Sequence, residues 1–273
     1  MGSASATTIA ALLSFAAMTP ESPCARAFIA SPNHDARACG VDILLLHYTG
    51  MADTAAAQQR LCDPAAKVSC HYLVCEDGDI LQFVAEARRA WHAGAAMWQG
   101  TADINSRAIG VEIANAGHDF GCPDYPAAQI DAVIRLCRDI LARHPIPPHN
   151  VLAHSDVAPR RKRDPGEKFP WRALHDAGIG LWVAPAPVAA GRTLVLGDQG
   201  AEVAQLKAAL RDYGYGIDNP TDVFDDALQD VVTAFQRHFR PQRIDGHADP
   251  STRQTLRDLL AAKRRAQRAS FAS

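Results

Sequence analysis

Apolar and polar residues follow two different patterns between residues 41 and 182. Residues 43–46 form an uninterrupted apolar run, which is typical of a strand buried on both faces of a sheet. Residues 127–143 instead repeat apolar positions every three or four residues, which predicts one face of a helix that ends before Pro145. By the same criteria we expect further strands at 71–75, 80–84, 109–114 and 151–153, and a helix at 52–61. This order predicts an α/β fold with a mixed central sheet flanked by helices.

The pattern changes after residue 182. Residues 183–192 carry alternating Pro and Ala, which favours an extended linker. Beyond it only helical periodicity is found, at 203–210, 225–239 and 250–260, so residues 193–262 are predicted to be a small three-helix domain. Residues 263–273 form a basic tail, for which we expect a solvated end.

Residues 1–40 are expected to be a lead-in that wraps the domain surface. They include an apolar stretch at 7–18 of signal-peptide length, but no positive charge precedes it, so an export signal stays one of two alternatives. The seven cysteines form no C-x-x-C pair and their number is odd, which favours a reducing compartment.

Composition excludes two classes of partner. The chain has 28 basic and 30 acidic residues and a net charge of −2, so it lacks the positive field that holds nucleic acid. No apolar run approaches the roughly 20 residues that a membrane span requires. A hydrophobic content of 48% is that of a globular protein.

Candidate chemistry is concentrated in residues 153–166. This segment contains His154, Lys162 and Asp164, and its prolines and final glycine favour a fixed loop over a helix. A further histidine, His47, ends the apolar run at 43–46. Two imidazoles and one carboxylate are the three-ligand set of a catalytic zinc site with an open fourth position. The alternative from spacing alone is two ordinary histidines and a turn carboxylate.

Five ordered motifs add a family resemblance. Residues 46–49, 69–74, 90–94, 105–113 and 154–166 together resemble the type 2 N-acetylmuramoyl-L-alanine amidases, zinc enzymes that release peptide stems from peptidoglycan. The resemblance covers residues 41–182. It implies cleavage of the amide bond between N-acetylmuramic acid and the first L-alanine of the stem, in peptidoglycan or in muropeptides.

The resemblance also implies roles for individual residues. His47, His154 and Asp164 would bind Zn²⁺, Glu112 would be the catalytic base, and Lys162 would stabilise the developing oxyanion. Without the resemblance, Glu112 would be an outward-facing strand residue and Lys162 a surface charge.

Substrate contacts are expected from four further positions. Arg107 and His92 match positions expected to contact substrate, and the bidentate guanidinium of Arg107 suits a stem-peptide carboxylate. Tyr48 and Trp91 are candidates to line the groove, with Trp98 as a further one, although aromatic residues of this kind are more often packing. A tyrosine that some members carry is replaced here by a cysteine at position 70, which places more weight on the base.

The C-terminal unit resembles the type 1 peptidoglycan-binding domain through residues 196–206, 234–236 and 244–246. Residues 247–249 depart from that pattern, which leaves the ligand contacts of this loop open. A wall-binding module implies the cell envelope or periplasm, whereas the cysteines favour the cytoplasm. We also expect a monomer, and we expect truncation of residues 185–273 to spare cleavage of small muropeptides. The competing interpretation is a non-catalytic peptidoglycan-recognition protein with the same fold, or, for the C-terminal unit, a helical bundle without a ligand.

Overall fold

A computed structural model describes residues 18–218 and 221–270 of the chain. Apart from Met18, the apolar stretch at 7–18 lies outside the described residues, so the export signal stays one of two alternatives. The strands are β1 (Ala27–Phe28), β2 (His34–Ala36), β3 (Ile43–Tyr48), β4 (Tyr72–Val74), β5 (Ile80–Gln82), β6 (Arg88–Ala90), β7 (Ala108–Ile113) and β8 (Val151–Ala153). The α-helices are α1 (Thr54–Cys62), α2 (Ile104–Arg107), α3 (Ala127–Arg143), α4 (His154–Val157), α5 (Trp171–Asp176), α6 (Ala201–Tyr213), α7 (Asp226–Phe239) and α8 (Pro250–Ser270).

Six of these strands form one mixed sheet in the order β1-β5-β4-β7-β3-β8. Strand β3 pairs in parallel with both β7 and β8, β4 is parallel to β7, and β4 and β5 form the predicted antiparallel hairpin. Parallel neighbours bring their carboxyl ends to one edge of a sheet. The residues that follow β3, β7 and β8 therefore meet at that edge, and the predicted fold class is confirmed.

Alternation along β3 divides the core between the two faces of the sheet. Leu44 and Leu46 pack on one side with the buried face of α3, whereas Ile43 and Leu45 pack on the other. His47 continues the second set and is 1% exposed. Because its parallel partner in register is Glu112 on β7, both side chains project from the same face.

Three local predictions differ from the structure. The lead-in contributes β1 and β2 because its backbone pairs with β5 and β6. The segment after β8 begins with the short helix α4, since its prolines come only later. The basic tail continues helix α8 to Ser270 and is not a separate solvated end. Lys263 is buried, and its ammonium donates hydrogen bonds to the carbonyls of Asp212 and Tyr213 at 2.8 Å each. In the described part of the chain, no helix has the length and apolar character needed to cross a membrane.

The two predicted domains share one hydrophobic core. Trp98 is 0% exposed and packs its ring against Tyr213 and Tyr215 of the C-terminal unit, with ring centroids 5.8 and 5.3 Å apart. The same cluster joins Ile43 and Leu45 to the apolar faces of α6, α7 and α8. Trp98 is therefore an interface residue, and it does not line a groove.

Candidate active site

Three side chains meet at the carboxyl edge of the sheet. His47 is the penultimate residue of β3, His154 begins α4 directly after β8, and Asp164 follows in the next loop. The two Nδ1 atoms lie 2.9 Å apart, and Asp164 Oδ2 lies 3.1 Å from that of His47 and 2.9 Å from that of His154. All three residues are buried. Residues separated by more than a hundred positions thus present one donor atom each to a single point.

The outer nitrogens of both imidazoles have partners that fix the ring orientation. His154 Nε2 lies 3.0 Å from the carbonyl of Ala93, a group that only accepts, so this nitrogen carries the proton. His47 Nε2 lies 3.1 Å from His92 Nδ1 and can donate to it. Both Nδ1 atoms then direct lone pairs at a carboxylate oxygen. Two imidazole nitrogens and one carboxylate oxygen directed at a single point suit a divalent cation, so the donor set fits zinc.

The protonation of these groups follows from their burial. Burial, reinforced by the neighbouring His154, lowers the pKa of His47 to about 4, so this ring is neutral near pH 7. Burial alone would raise the pKa of Asp164, but the two imidazoles hold it well below its usual value. A neutral His47 and an ionised Asp164 are the protonation states that metal ligation requires of these two residues.

The helix that carries His154 is held by the C-terminal unit. Asp156 is 0% exposed, and its Oδ2 accepts from the backbone N–H of Ala153 at 2.8 Å. Its two carboxylate oxygens also bind Tyr215 Oη and His238 Nδ1, each at 2.7 Å. Both contacts come from beyond residue 192. The second unit therefore supports the backbone next to one of the metal-ligand candidates.

Glu112 lies beside this cluster and has an unused oxygen. Its Oε2 is shielded from solvent and has no hydrogen-bond partner in the described residues. Burial and the nearby charge of Asp164 raise the pKa of this carboxyl well above its usual value, and the ammonium of Lys162 opposes the rise. Glu112 lines a cavity of about 60 Å³ with Thr49, Met51, Ala57, Arg60, Leu61 and Val68. Glu112 thus borders this cavity and lies in register with His47 on the neighbouring strand.

The structure does not bring Arg107 to this edge. Its guanidinium forms a bidentate pair with Asp42, at 2.9 and 2.7 Å, before the start of β3. Glu112 lies five strand residues further along, about 16 Å away at the opposite edge of the sheet. A cation that lines the Glu112 cavity is Arg60, which sequence reasoning missed because it is one residue of the predicted helix at 52–61 and belongs to none of the motifs.

The other expected substrate contacts lie near the cluster in different roles. His92 is 6% exposed and contacts His47 from behind, so it supports a ligand candidate and offers little surface to a substrate. Trp91 and Tyr48 are both half-buried, and Tyr48 Oη lies 2.9 Å from His118 Nδ1. The buried thiol of Cys70 neighbours Glu112, and burial raises its pKa well above the usual value.

Comparisons with known proteins match both units. The family described as N-acetylmuramoyl-L-alanine amidase matches residues 37–167, and the family described as putative peptidoglycan binding domain matches residues 199–256. The N-acetylmuramoyl-L-alanine amidase AmiD of Escherichia coli K12 is 39% identical over 236 residues, which cover 81% of this chain and 82% of AmiD. The 1,6-anhydro-N-acetylmuramyl-L-alanine amidase AmpD of Enterobacter cloacae is 37% identical over 108 residues, 40% of this chain and 56% of AmpD.

Solved structures give the same result. AmiD from E. coli, in complex with the substrate anhydro-N-acetylmuramic acid-L-Ala-D-γ-Glu-L-Lys, superposes with a TM-score of 0.69 at 35% identity and covers 83% of this chain and 92% of AmiD. AmpDh3 from Pseudomonas aeruginosa in complex with anhydromuramic pentapeptide gives a TM-score of 0.66 at 33% identity and covers 91% of this chain and 96% of AmpDh3. The likeness therefore extends over both units of the chain.

Proposed function

The chain belongs to the N-acetylmuramoyl-L-alanine amidase family, and we propose that it hydrolyses the amide bond between N-acetylmuramic acid and the stem L-alanine with a zinc ion held by His47, His154 and Asp164. The observation that carries this proposal is the convergence of two imidazole Nδ1 atoms and one carboxylate oxygen within 3.1 Å of one another. The family resemblance and the donor chemistry support zinc as the ion.

A zinc ion at these donors would polarise the substrate carbonyl and lower the pKa of an attacking water toward about 7. The protein supplies the proton transfers. We assign Glu112 as the base that accepts a proton from the attacking water on Oε2, the oxygen without another partner. Its raised pKa makes it a stronger acceptor than a solvated glutamate, and it then delivers the proton to the leaving amine nitrogen.

Lys162 has the complementary role in this proposal. It is half-buried, and its charge acts on both His47 and Glu112. An ammonium in this position offsets negative charge on the carbonyl oxygen as the tetrahedral intermediate forms. It also opposes protonation of Glu112 near neutral pH, because the neutral acid would leave the positive charge uncompensated.

We assign the substrate to muropeptides and peptidoglycan. The solved relatives hold anhydro-muramyl peptides, and the cavity beside Glu112 offers the methylene and guanidinium groups of Arg60 to a peptide stem. Tyr48 and Trp91 remain candidates for the rim of this groove. A recognition protein without catalysis would not need a shielded, unpartnered carboxylate next to three ligand-competent residues, so the observation on Glu112 favours the enzyme.

For the C-terminal unit we propose peptidoglycan binding. The match to a putative peptidoglycan binding domain over residues 199–256, within the expected unit at 193–262, supports this proposal. Helices α6 and α8 enclose a cavity of about 170 Å³ lined by Glu202, Gln205, Leu206, Ala209, Arg253, Leu256 and Arg257. Mixed charged and amide groups in such a cavity suit a polar wall polymer. Wall binding would place the protein in the cell envelope, and fractionation of the native protein distinguishes that location from the cytoplasm.

The experiment that tests the proposed function uses the purified, zinc-loaded full chain and a defined anhydro-N-acetylmuramyl tripeptide. Mass analysis should find the free tripeptide and the free amino sugar acid, with no fragment cleaved within the peptide. Intact substrate after prolonged incubation, or cleavage between two amino acids of the stem, would contradict the assignment.

A further inference from the structure

A second group of metal-competent side chains lies outside the catalytic donor set. His118, Cys122 and Glu167 each present one ligand atom, and these atoms lie within 4.8 Å of one another. His118 and Cys122 come from the loop after β7, whereas Glu167 follows the loop that contains Asp164. All three are half-buried, so an ion could reach them from solvent.

We propose that His118, Cys122 and Glu167 form an accessory binding site for a zinc-like divalent ion. An imidazole, a thiolate and a carboxylate together suit a borderline ion such as Zn²⁺ or Co²⁺ and do not suit Mg²⁺ or Ca²⁺, which prefer oxygen ligands. The site has three protein ligands in the described residues, which leaves a fourth position to water.

The backbone around the site brings these ligands together. Cys122 adopts a left-handed conformation at φ 48°, which is uncommon for a residue other than glycine, and its N–H donates to the carbonyl of Gly117 at 2.8 Å. At Gly166, with φ 85°, a Cβ atom would lie 3.1 Å from His118 Cε1 and 3.7 Å from Cys122 Sγ. Glycine at this position therefore leaves the space in which the imidazole and the thiol approach each other.

Hydrogen bonds join the imidazole of the site to the neighbouring side chains. His118 Nε2 lies 3.0 Å from Glu167 Oε2, and Nδ1 lies 2.9 Å from Tyr48 Oη. With the proton on Nε2, the imidazole donates to Glu167 and accepts from the tyrosine hydroxyl. With the proton on Nδ1, the imidazole donates to Tyr48, and Nε2 presents a lone pair to the carboxylate and the thiol. The second tautomer is the one that binds an ion, and the phenol accommodates both.

Two features oppose the ion and set how tightly it can bind. Arg237 Nε lies 3.3 Å from Glu167 Oε2, so the guanidinium and the metal share this carboxylate, which has two oxygens. Burial raises the pKa of the Cys122 thiol, and binding must release its proton to solvent as the metal–sulfur bond forms. The accessory site should therefore fill after the catalytic donors, whose lone pairs already converge.

The position of the site links it to the catalytic edge. Tyr48 directly follows His47, and Glu167 lies three residues after Asp164. An ion at the accessory site would join the loop at 117–122 to both segments. Because it binds the folded state, it should also raise the midpoint of thermal unfolding.

Cobalt provides a direct test, because a thiolate ligand gives Co²⁺ a near-ultraviolet charge-transfer band that the catalytic donors, without sulfur, do not produce. The metal-free full chain is titrated with CoCl₂ and followed by absorption and by bound metal. We expect two bound ions, with the thiolate band growing during the second equivalent. Cys122→Ala should bind one ion without the band, whereas His154→Ala should keep the band.

Cys62→Ser is the matched control, because Cys62 is another half-buried free thiol. It should behave as the parent does. The proposal is overturned by absence of the band in the parent at two equivalents, by its persistence in Cys122→Ala, or by its loss in Cys62→Ser. This readout is independent of peptide release, so failure of the accessory site and failure of the amidase mechanism are distinguishable.

Discussion

Tyr215 Oη donates a hydrogen bond to Asp156 Oδ1 at 2.7 Å across the boundary between the two units of the chain. Asp156 is 0% exposed and lies two residues after the ligand candidate His154. His238, stacked between Trp171 and Phe239 with ring centroids 3.7 and 3.8 Å away, binds the other carboxylate oxygen. The C-terminal unit is thus part of the support of the catalytic edge as well as a candidate for wall binding.

Tyr215→Phe should lower the free energy of unfolding by about 1.5–3 kcal/mol, because it removes a donor from a buried carboxylate. Urea denaturation measures the change. In Asp156→Asn the same tyrosine substitution should cost less, since the amide oxygen is uncharged. Equal losses in both backgrounds would mean that the hydroxyl and the carboxylate are not coupled.

Truncation before residue 193 tests the dependence of the catalytic unit on the second one. The shared core contradicts the premise that the units are separate modules, so we now expect the truncated protein to lose cleavage of small muropeptides as well as wall binding. The physical reasons are the exposure of Trp98 and the loss of the Tyr215 and His238 hydrogen bonds to Asp156. Soluble, folded truncated protein with parental turnover of a soluble muropeptide would rule out this dependence.

Local periodicity accounts for much of the fold prediction. The bounds of α3 and β8 match the expected ranges, because an amphipathic repeat between prolines and a short apolar run are local signals. The interface was not predictable in this way. Trp98, Tyr213 and Tyr215 look like core residues of their own segments, and periodicity does not indicate which apolar faces meet each other.

Arg107→Ala should destabilise the protein and leave the KM for a muropeptide nearly unchanged, because its guanidinium is paired with Asp42 away from the site. Arg60→Ala is the comparison, since Arg60 lines the cavity beside Glu112. We expect it to raise KM severalfold with little change in stability. Steady-state kinetics measured together with thermal unfolding separates an effect on substrate binding from an effect on stability. A large rise in KM from Arg107→Ala alone would restore Arg107 as a substrate contact.

His149 should make stability depend on acid pH. Burial, with a contribution from the charge of Lys263, lowers its pKa to about 4 from an ordinary value near 6.5. The unfolded chain therefore takes up a proton first, so the stability that neutral His149 provides is present above about pH 6.5 and is lost as pH falls toward 4.

His149→Gln should reduce the slope of the free energy of unfolding against pH, between the two pKa values of His149, by up to about 1.4 kcal/mol per pH unit. Urea denaturation between pH 4 and 7, with a chelator present in both proteins so that metal release does not contribute, measures the slope. An unchanged slope would show that His149 does not control the acid limb.

The candidate site was predictable where motif order identifies residues, and less so where a role depends on strand direction. His47 lies more than a hundred residues before His154 and Asp164. Their convergence follows from the shared edge of three parallel strands. The same rule could have excluded Arg107 from the site, because Arg107 precedes β7, whereas Glu112 lies near the carboxyl end of that strand. His118, Cys122 and Glu167 have no common motif and meet only through tertiary structure.

Zinc dependence of peptide release tests the central claim most directly. The full chain is stripped with a chelator, measured for metal, and assayed on an anhydro-muramyl tripeptide before and after one equivalent of zinc. We predict that release is lost on stripping and restored in the parent, that Asp164→Ala recovers neither tight zinc binding nor release, and that Glu112→Gln rebinds zinc yet stays about 10²–10⁴-fold slower. Full peptide release by the zinc-free parent, or by Asp164→Ala, would contradict the account.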